Sequence, residues 1–313
     1  MLILHFKRSL TMKSASKPFI PKEPGPSRNF RDKTFSLFFL VPSLLFVGTV
    51  VVYPFFTGLI YSLKNGNLFK QGDFIGLANF IKVFQMPEFW AAMRFSLIFA
   101  LMGVLGSYLL GLSLALLLNS DIPCRSFFRA AILIPWIIPS IVSLVSWKWL
   151  LGDQQSIINL LLGRVGIQPI MFLADPTWAI ISVGVVKIWR SFPFMMISLL
   201  AVLQTVPQDQ YESAHIDGAN RFQSFRYITW PNLVPITIIC GILMTIWSVN
   251  DFDTIFLLTN GGPFDVTQNI IVMAYKYAFT KNDIGLSSAM AIIIMVILMF
   301  MSNSVLKRQN EQV

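Results

Sequence analysis

Long apolar stretches alternate with short polar or basic segments along the chain. A helix crosses the hydrocarbon core of a bilayer with about 20 apolar residues. The alternation therefore predicts six membrane-spanning helices, at Thr34–Leu63, Phe95–Asn119, Ala130–Leu151, Trp178–Leu203, Leu233–Leu258 and Ile284–Leu306. Prolines inside these stretches predict kinks or breaks, notably Pro135 and Pro139 in the third and Pro193 in the fourth. The pattern predicts an all-α membrane protein with six transmembrane helices.

The composition agrees with a membrane-embedded chain. Hydrophobic residues make up 55% and charged residues 12%, and the mean hydropathy is +0.66, whereas soluble domains are about 25% charged. We expect one transmembrane domain at 34–308, after a basic cytoplasmic tail at 1–33 and before a short cytoplasmic tail at 309–313. Met12 is an alternative start.

The basic residues predict orientation rather than a nucleic-acid partner. The net charge is +9, but most Lys and Arg residues lie in the tails and loops. With the N-terminus inside, the inner segments carry about twice as many Lys and Arg residues as the outer ones, as the positive-inside rule requires. The N-terminal tail contributes most of this difference. We expect both termini and the 204–232 loop to be cytoplasmic.

The 204–232 loop is a polar island between the fourth and fifth predicted spans. Pro207 suits the first turn of a helix, Glu212 is favoured near its N-terminus, and Gly218 is placed to end it. The pattern predicts a short helix that either covers the protein's own core or presents an apolar ridge to a partner, formed by Tyr211, Ala214 and Ile216.

The same loop resembles the EAA loop of ABC importer permeases. Glu212, Ala214, Gly218, Ala219 and Pro231 match that motif in type and spacing. The sequence departs from it at two positions, having Ser213 where alanine is usual and Trp230 where leucine is usual. In that family the loop forms a coupling helix that docks into a cleft on the ATPase subunit. The resemblance implies a type I importer (MetI-like) core at about 90–306 and an ATPase-coupling set comprising Glu212, Ser213, Ala214, Asp217, Gly218, Ala219 and Pro231.

Catalytic and metal-binding patterns are missing from the sequence. It has no Gly-x-x-x-x-Gly-Lys-Ser/Thr phosphate loop and no His-Glu-x-x-His motif. Neither Cys124 nor Cys240 has metal-ligand spacing around it, and His215 is one of only two histidines. We expect no enzyme activity, cofactor or metal in this chain, with ATP and Mg bound by partner subunits.

Ionisable residues inside predicted spans are functional candidates because each costs about 2.5–3.5 kcal/mol to insert. Lys148 lies between two tryptophans, which favours snorkelling to the interface. Lys187 and Arg190 are three residues apart and share a helix face. Arg190 and Asp251 either pair across the bundle or line a polar pathway, and Asp253 is a further candidate.

A second resemblance concerns the segment 258–263, Leu-Thr-Asn-Gly-Gly-Pro, followed by Thr267 and Tyr275–Phe279. It is similar to the sugar-importing branch of ABC permeases, and within it to the first permease subunit of the maltose or glycerol-phosphate type. Lys187 and Arg190 are candidates for the same pathway, and the sugar contacts that the resemblance implies are Ser191, Phe194, Met244, Ser248 and Asp251. Phe194 replaces a tyrosine and Asp251 an asparagine of the maltose subunit, so we expect another substrate. Plain helix packing is the alternative role for Phe194 and Met244.

These features predict a permease subunit of an ATP-driven importer for a sugar or oligosaccharide in a bacterial cytoplasmic membrane. An acidic oligosaccharide of the alginate type is one candidate. The implied partners are a second homologous permease, two ATPase subunits, an extracytoplasmic solute-binding protein and membrane lipid. The alternatives are an importer for another solute, such as a polyol phosphate, phosphate or an amino acid, and an ion-coupled transporter using Asp251 and Asp253.

Overall fold

The computed structural model of the protein describes residues 40–67, 69–152 and 154–310. Among these described residues, those up to Pro54 belong to one compact unit and those from Phe55 onward to a second. The predicted basic tail at 1–33, the start of the first predicted span and residues 311–313 lie outside the described residues.

Helices dominate the described chain. A two-stranded antiparallel hairpin joins β1 (Lys64–Gly66) to β2 (Gln71–Phe74). The helices are α1 (Leu40–Ser62), α2 (Ala78–Gln85), α3 (Pro87–Asn119), α4 (Arg125–Ile137), α5 (Ser140–Leu151), α6 (Ile157–Arg164), α7 (Pro176–Leu203), α8 (Gln208–Ile216), α9 (Arg221–Val249), α10 (Phe252–Leu258), α11 (Ile270–Phe279) and α12 (Ile284–Asn310). Both α1 and α9 contain a π-helical turn, at Gly48–Val52 and Phe225–Thr229.

Five of the described helices, α1, α3, α7, α9 and α12, are long and apolar enough to cross a membrane. The third predicted span consists of α4 and α5, which are bent by 89° and together count as a sixth span. Ile138 has an extended backbone conformation at the break, because a residue before proline avoids the helical region. The prediction of an all-α membrane protein is confirmed, with six spans when the bent pair counts as one.

The fifth predicted span, Leu233–Leu258, is wrong at its end. Helix α9 stops at Val249, and the chain restarts as α10 at Phe252. Asp251 is the N-cap of α10, where its Oδ1 accepts the backbone N–H of Thr254 at 3.0 Å. Aspartate is favoured at this position because its side chain satisfies a free N–H of the first helical turn. The break coincides with the polar residues Asn250, Asp251 and Asp253, which interrupt an otherwise apolar stretch.

Helices α3 and α7 form the most extensive helix pair in the bundle, and glycines on α3 permit their close approach. A Cβ added to Gly111 would lie 3.0 Å from the backbone nitrogen of Met196, and one added to Gly103 would lie 3.1 Å from Lys187 Cγ. Buried side chains from α3, α7 and α9 then fill the adjoining core, among them Leu118, Met195, Met196, Leu199, Leu233 and Met244.

Candidate solute pathway and coupling loop

A cavity of about 320 Å³ lies where α9 ends and α10 begins. Its wall also includes residues of α4 and α7. Six of the seven residues predicted for the solute pathway line it, namely Lys187, Arg190, Ser191, Phe194, Met244 and Asp251. The structure therefore brings together, on one surface, side chains that are up to 64 positions apart in the chain.

Ser248 is the exception: it does not line the cavity in this conformation, and its role as a sugar contact stays a prediction. Its side chain is completely buried and does not line the cavity. A Cβ added to Gly103 would lie 3.3 Å from Ser248 Oγ, so this hydroxyl faces the α3–α9 packing. The resemblance to the maltose-type subunit implied Ser248 as a sugar contact, but only the packed structure shows which side of α9 faces α3.

Aromatic rings form one wall of the cavity. The ring of Phe194 lies between two tryptophans, with its centroid 5.0 Å from that of Trp247 and 6.0 Å from that of Trp136. Both tryptophans are about half exposed. The sequence did not identify either tryptophan as a residue of the solute pathway. Trp247 lies three residues after Met244 and shares its helix face, whereas Trp136 comes from α4, which packs against α7 in the structure.

A buried ion pair crosses the cavity wall from α7 to the α9–α10 break. Lys187 Nζ lies 2.7 Å from Asp251 Oδ2, and each side chain is less than a tenth exposed. The ion pair between Arg190 and Asp251, which the sequence allowed as one alternative, does not occur. Instead, Arg190 Nη1 donates to Thr254 Oγ1 at 3.1 Å, and that hydroxyl donates to Asp251 Oδ2 at 3.0 Å.

Asp253 adds a second carboxylate to the cavity. Ser140, at the start of α5, donates its hydroxyl to Asp253 Oδ2 at 2.7 Å. The carboxylate thus lies beside the N-terminus of α5, where negative charge is favoured. With Lys187 and Arg190 opposing Asp251 and Asp253, the cationic and anionic groups of the lining are equal in number.

Further hydrogen bonds hold the break between α9 and α10 against the rest of the bundle. Asn269 Nδ2 donates to the backbone oxygen of Asp251 at 2.8 Å. The same asparagine caps α11 by accepting the N–H of Val272 at 3.0 Å. Next to it, the N–H of Ile270 donates to Ser96 Oγ of α3 at 3.1 Å. The cavity wall is therefore fixed by side-chain bonds as well as by apolar packing.

The predicted coupling segment forms a short helix, α8, followed by a tight turn. Gly218 has φ +82°, a left-handed conformation that favours glycine and commonly ends helices. Its N–H bonds to the oxygen of His215, while Ala219 N–H bonds to that of Ala214. Asn220 and Gln223 then form a reciprocal capping box that starts α9.

One face of this loop is exposed. Glu212, Ser213, Asp217, Gly218 and Pro231 are exposed, and Ala214 and Ala219 are half-buried. Ile216 is 85% exposed, and Phe222 and Tyr227 at the start of α9 are also exposed. The prediction that Tyr211 belongs to an outward ridge is wrong, because its hydroxyl lies 3.0 Å from Thr229 Oγ1 of α9 and anchors α8 inward.

The sequence matches the model of a protein family, described as "Binding-protein-dependent transport system inner membrane component", over residues 107–312. The chain belongs to this family. The permease is 40% identical over 262 residues to the probable ABC transporter permease protein y4oQ of Sinorhizobium fredii, with 83% of each chain covered. It is 34% identical to the trehalose/maltose transport system permease protein MalF of Thermococcus litoralis, covering 86% of this chain and 92% of that one.

Solved structures agree on the permease fold. A chain of a bacterial ABC transporter involved in the import of the acidic polysaccharide alginate superposes with a TM-score of 0.76 at 22% identity, covering 88% of this chain and 96% of the other. The MetNI methionine ABC transporter, in an inward-facing conformation, gives a TM-score of 0.52 at 16% identity, with 73% and 99% coverage. The predicted MetI-like permease fold is confirmed.

Two further sequence predictions concern groups outside the cavity. Lys148 of the permease is exposed on α5, and the neighbouring Trp149 is 79% exposed, so snorkelling to the interface stays its predicted role. Within the described ranges, no cluster of three or more His, Cys, Asp or Glu side chains has the arrangement of a metal site.

Proposed function

We propose that this permease forms part of the transmembrane pathway of an ATP-driven importer for a sugar or oligosaccharide. The cavity at the α9–α10 break is the observation that carries this proposal. It combines the aromatic cluster of Trp136, Phe194 and Trp247 with the polar groups of Arg190, Ser191 and Asn250. Such a lining suits a sugar, because ring faces pack on aromatic surfaces while hydroxyls need donors and acceptors.

Named relatives support a carbohydrate-type solute. The Thermococcus litoralis relative is a trehalose/maltose permease. Another relative, 30% identical, is the sulfoquinovosyl glycerol transport system permease protein SmoG of Agrobacterium fabrum, covering 86% of this chain and 88% of that one. Together with the alginate importer of the same fold, they span neutral and acidic substrates. The proposal therefore specifies the carbohydrate class and not one sugar.

Within the cavity, Arg190 is the group that would receive an acidic substituent. Lys187 is already paired with Asp251, whereas Arg190 uses one described side-chain hydrogen bond, to Thr254, of the five that a guanidinium can donate. An acidic oligosaccharide of the alginate type is thus a candidate, provided that its carboxylates stay clear of Asp253. A polyol phosphate is an alternative ligand for the same guanidinium.

The loop at 204–232 would transmit the movement of the ATPase subunits. Helix α8 is short, ends at a left-handed glycine and is anchored to α9 through Tyr211 and Thr229. A force on the exposed face around Glu212 would consequently reach α9, which ends at the cavity. ATP and Mg would be bound by two ATPase subunits, which close on ATP binding and return after hydrolysis.

The remaining partners and the topology follow from this assignment. A second homologous permease would complete the pathway, and an extracytoplasmic binding protein would deliver the solute. The 34–308 region would form the membrane domain, with the 204–232 loop and both tails on the cytoplasmic side. The ion-coupled alternative has less support, because the carboxylates of Asp251 and Asp253 already bond to Lys187 and Ser140.

The test is solute uptake by the complete importer in proteoliposomes, measured with neutral, carboxylated and phosphorylated sugars. Trp247→Leu removes a ring from the cavity, and Trp149→Leu is the control for an exposed tryptophan elsewhere. We expect a sugar to be transported and Trp247→Leu alone to raise its half-saturating concentration. Transport of amino acids without any sugar, or equal kinetics of the two variants, would contradict the proposal.

A further inference from the structure

A second crevice, of about 230 Å³, opens between α4 and α7 at the end of the bundle that carries α8. Its lining is mainly apolar, formed by Leu133, Met196, Ile197, Leu200 and Ala201. Two polar side chains complete it, Arg129 near the start of α4 and Gln204 just after α7. This arrangement places a cation at one end of an apolar cleft between two spans.

The guanidinium of Arg129 makes few hydrogen bonds to the described part of the protein. Its Nε is buried and has no hydrogen-bond partner, and its Nη2 reaches the backbone oxygen of Leu118 only at 3.5 Å. A guanidinium has five N–H donors in a planar fork that matches phosphate oxygens. A phosphate in the crevice would offer acceptors to this guanidinium, whose one described hydrogen bond to the protein is the long contact with Leu118.

The surroundings of Arg129 suit the headgroup region of a membrane. Arg125 lies one helical turn before it and contacts Asp121 only at 3.8 Å. Between the two arginines, Phe127 is 69% and Phe128 is 46% exposed. Aromatic and basic side chains close together at the end of a span are typical of an interface with lipid headgroups. The crevice is thus continuous with a surface suited to lipid.

We propose that the crevice between α4 and α7 binds one anionic phospholipid, with Arg129 holding its phosphate and an acyl chain lying along Leu133, Ile197 and Leu200. Basic pockets between spans on the cytoplasmic side are general sites for anionic headgroups. Gln204 lies four residues before α8 begins at Gln208. The bound lipid would therefore contact the base of the loop helix without entering the solute cavity.

The experiment is native mass spectrometry of the complete importer, titrated with phosphatidylglycerol or phosphatidylcholine of identical acyl chains. We expect retention of phosphatidylglycerol in preference to phosphatidylcholine. Arg129→Gln should weaken that retention about fivefold, the contribution of one basic side chain near an anionic surface. Arg164→Gln, which changes an exposed arginine at the end of α6, should leave it unchanged.

A second variant keeps the test independent of the folding of Arg129→Gln. Ala201→Phe fills the crevice and retains the guanidinium, so it should also lower phosphatidylglycerol retention. Inorganic phosphate alone, at the same concentration, should not displace the lipid, because it lacks the acyl chain. Equal retention of both lipids, unchanged retention in Arg129→Gln and Ala201→Phe, or displacement by phosphate would each overturn the lipid site.

Discussion

Lys187 of α7 and Asp251 of the α9–α10 break form an ion pair with 2.7 Å between Nζ and Oδ2, buried beside the solute cavity. The pair joins the long helix α7 to the point at which α9 is interrupted. Asp251 also caps α10 and accepts the hydroxyl of Thr254. The Asp251 carboxylate therefore pairs with the charge of Lys187 and caps the start of α10. It also positions Thr254, which accepts a hydrogen bond from Arg190.

Breaking this ion pair should destabilise the permease strongly. Lys187→Met leaves Asp251 buried without its counter-charge, which typically costs about 3–5 kcal/mol. Thermal unfolding in detergent should therefore shift to lower temperature. The double variant Lys187→Met/Asp251→Asn should recover most of the loss, and the exposed Lys148→Met is the control. An additive double variant would contradict the predicted coupling of the two charges.

The bond between Ser140 and Asp253 should stabilise the packing of α5 against α10. Ser140→Ala removes a 2.7 Å hydrogen bond to a half-buried carboxylate, at a cost of about 1–3 kcal/mol. The matched control is Ser146→Ala, because Ser146 is exposed and bonds only within its own helix, to Val142 at 2.8 Å. Equal melting temperatures for the two variants would show that Ser140 contributes no stability to the α5–α10 contact.

Gly218 should be required because of its backbone conformation, and not because a larger side chain would clash with its neighbours. A Cβ there would meet nothing within 4 Å, yet φ is +82°, where an L-residue costs roughly 1–2 kcal/mol. Gly218→Ala should therefore reduce solute-stimulated ATP hydrolysis by the assembled importer. Gly163→Ala is the control, since it is also uncrowded but has no positive φ. A normal stimulated rate in Gly218→Ala would refute the requirement.

The Tyr211 hydroxyl should link the loop helix to α9. Tyr211→Phe removes its bond to Thr229 and should loosen α8 by about 0.5–1.5 kcal/mol. Hydrogen exchange at the backbone amides of α8 should accelerate, whereas the exposed Tyr227→Phe should have little effect. Unchanged protection in Tyr211→Phe would mean that the anchor lies elsewhere.

The sequence predicted most of the fold because the bilayer fixes the length of an apolar helix. It missed the break at Asp251, because the polar residues Asn250, Asp251 and Asp253 are compatible both with a continuous span and with a helix cap. Lys187 and Arg190 share a helix face, so periodicity could not choose which of them pairs with Asp251. Trp136 lines the cavity from α4, and hydropathy does not show which side of that helix faces the cavity. The prolines signal the break after α4 but do not determine its angle of 89°.

The coupling role of the loop is the central proposal, and ATP hydrolysis is its most direct test. The permease is co-expressed with its second permease and ATPase subunits, and hydrolysis is compared for wild type, Glu212→Ala, Gly218→Pro and the control Glu88→Ala. Proline cannot adopt the positive φ of residue 218. We predict loss of ATPase assembly or stimulated hydrolysis in the two loop variants, with the permease still inserted. Wild-type assembly and hydrolysis in both would contradict the coupling role.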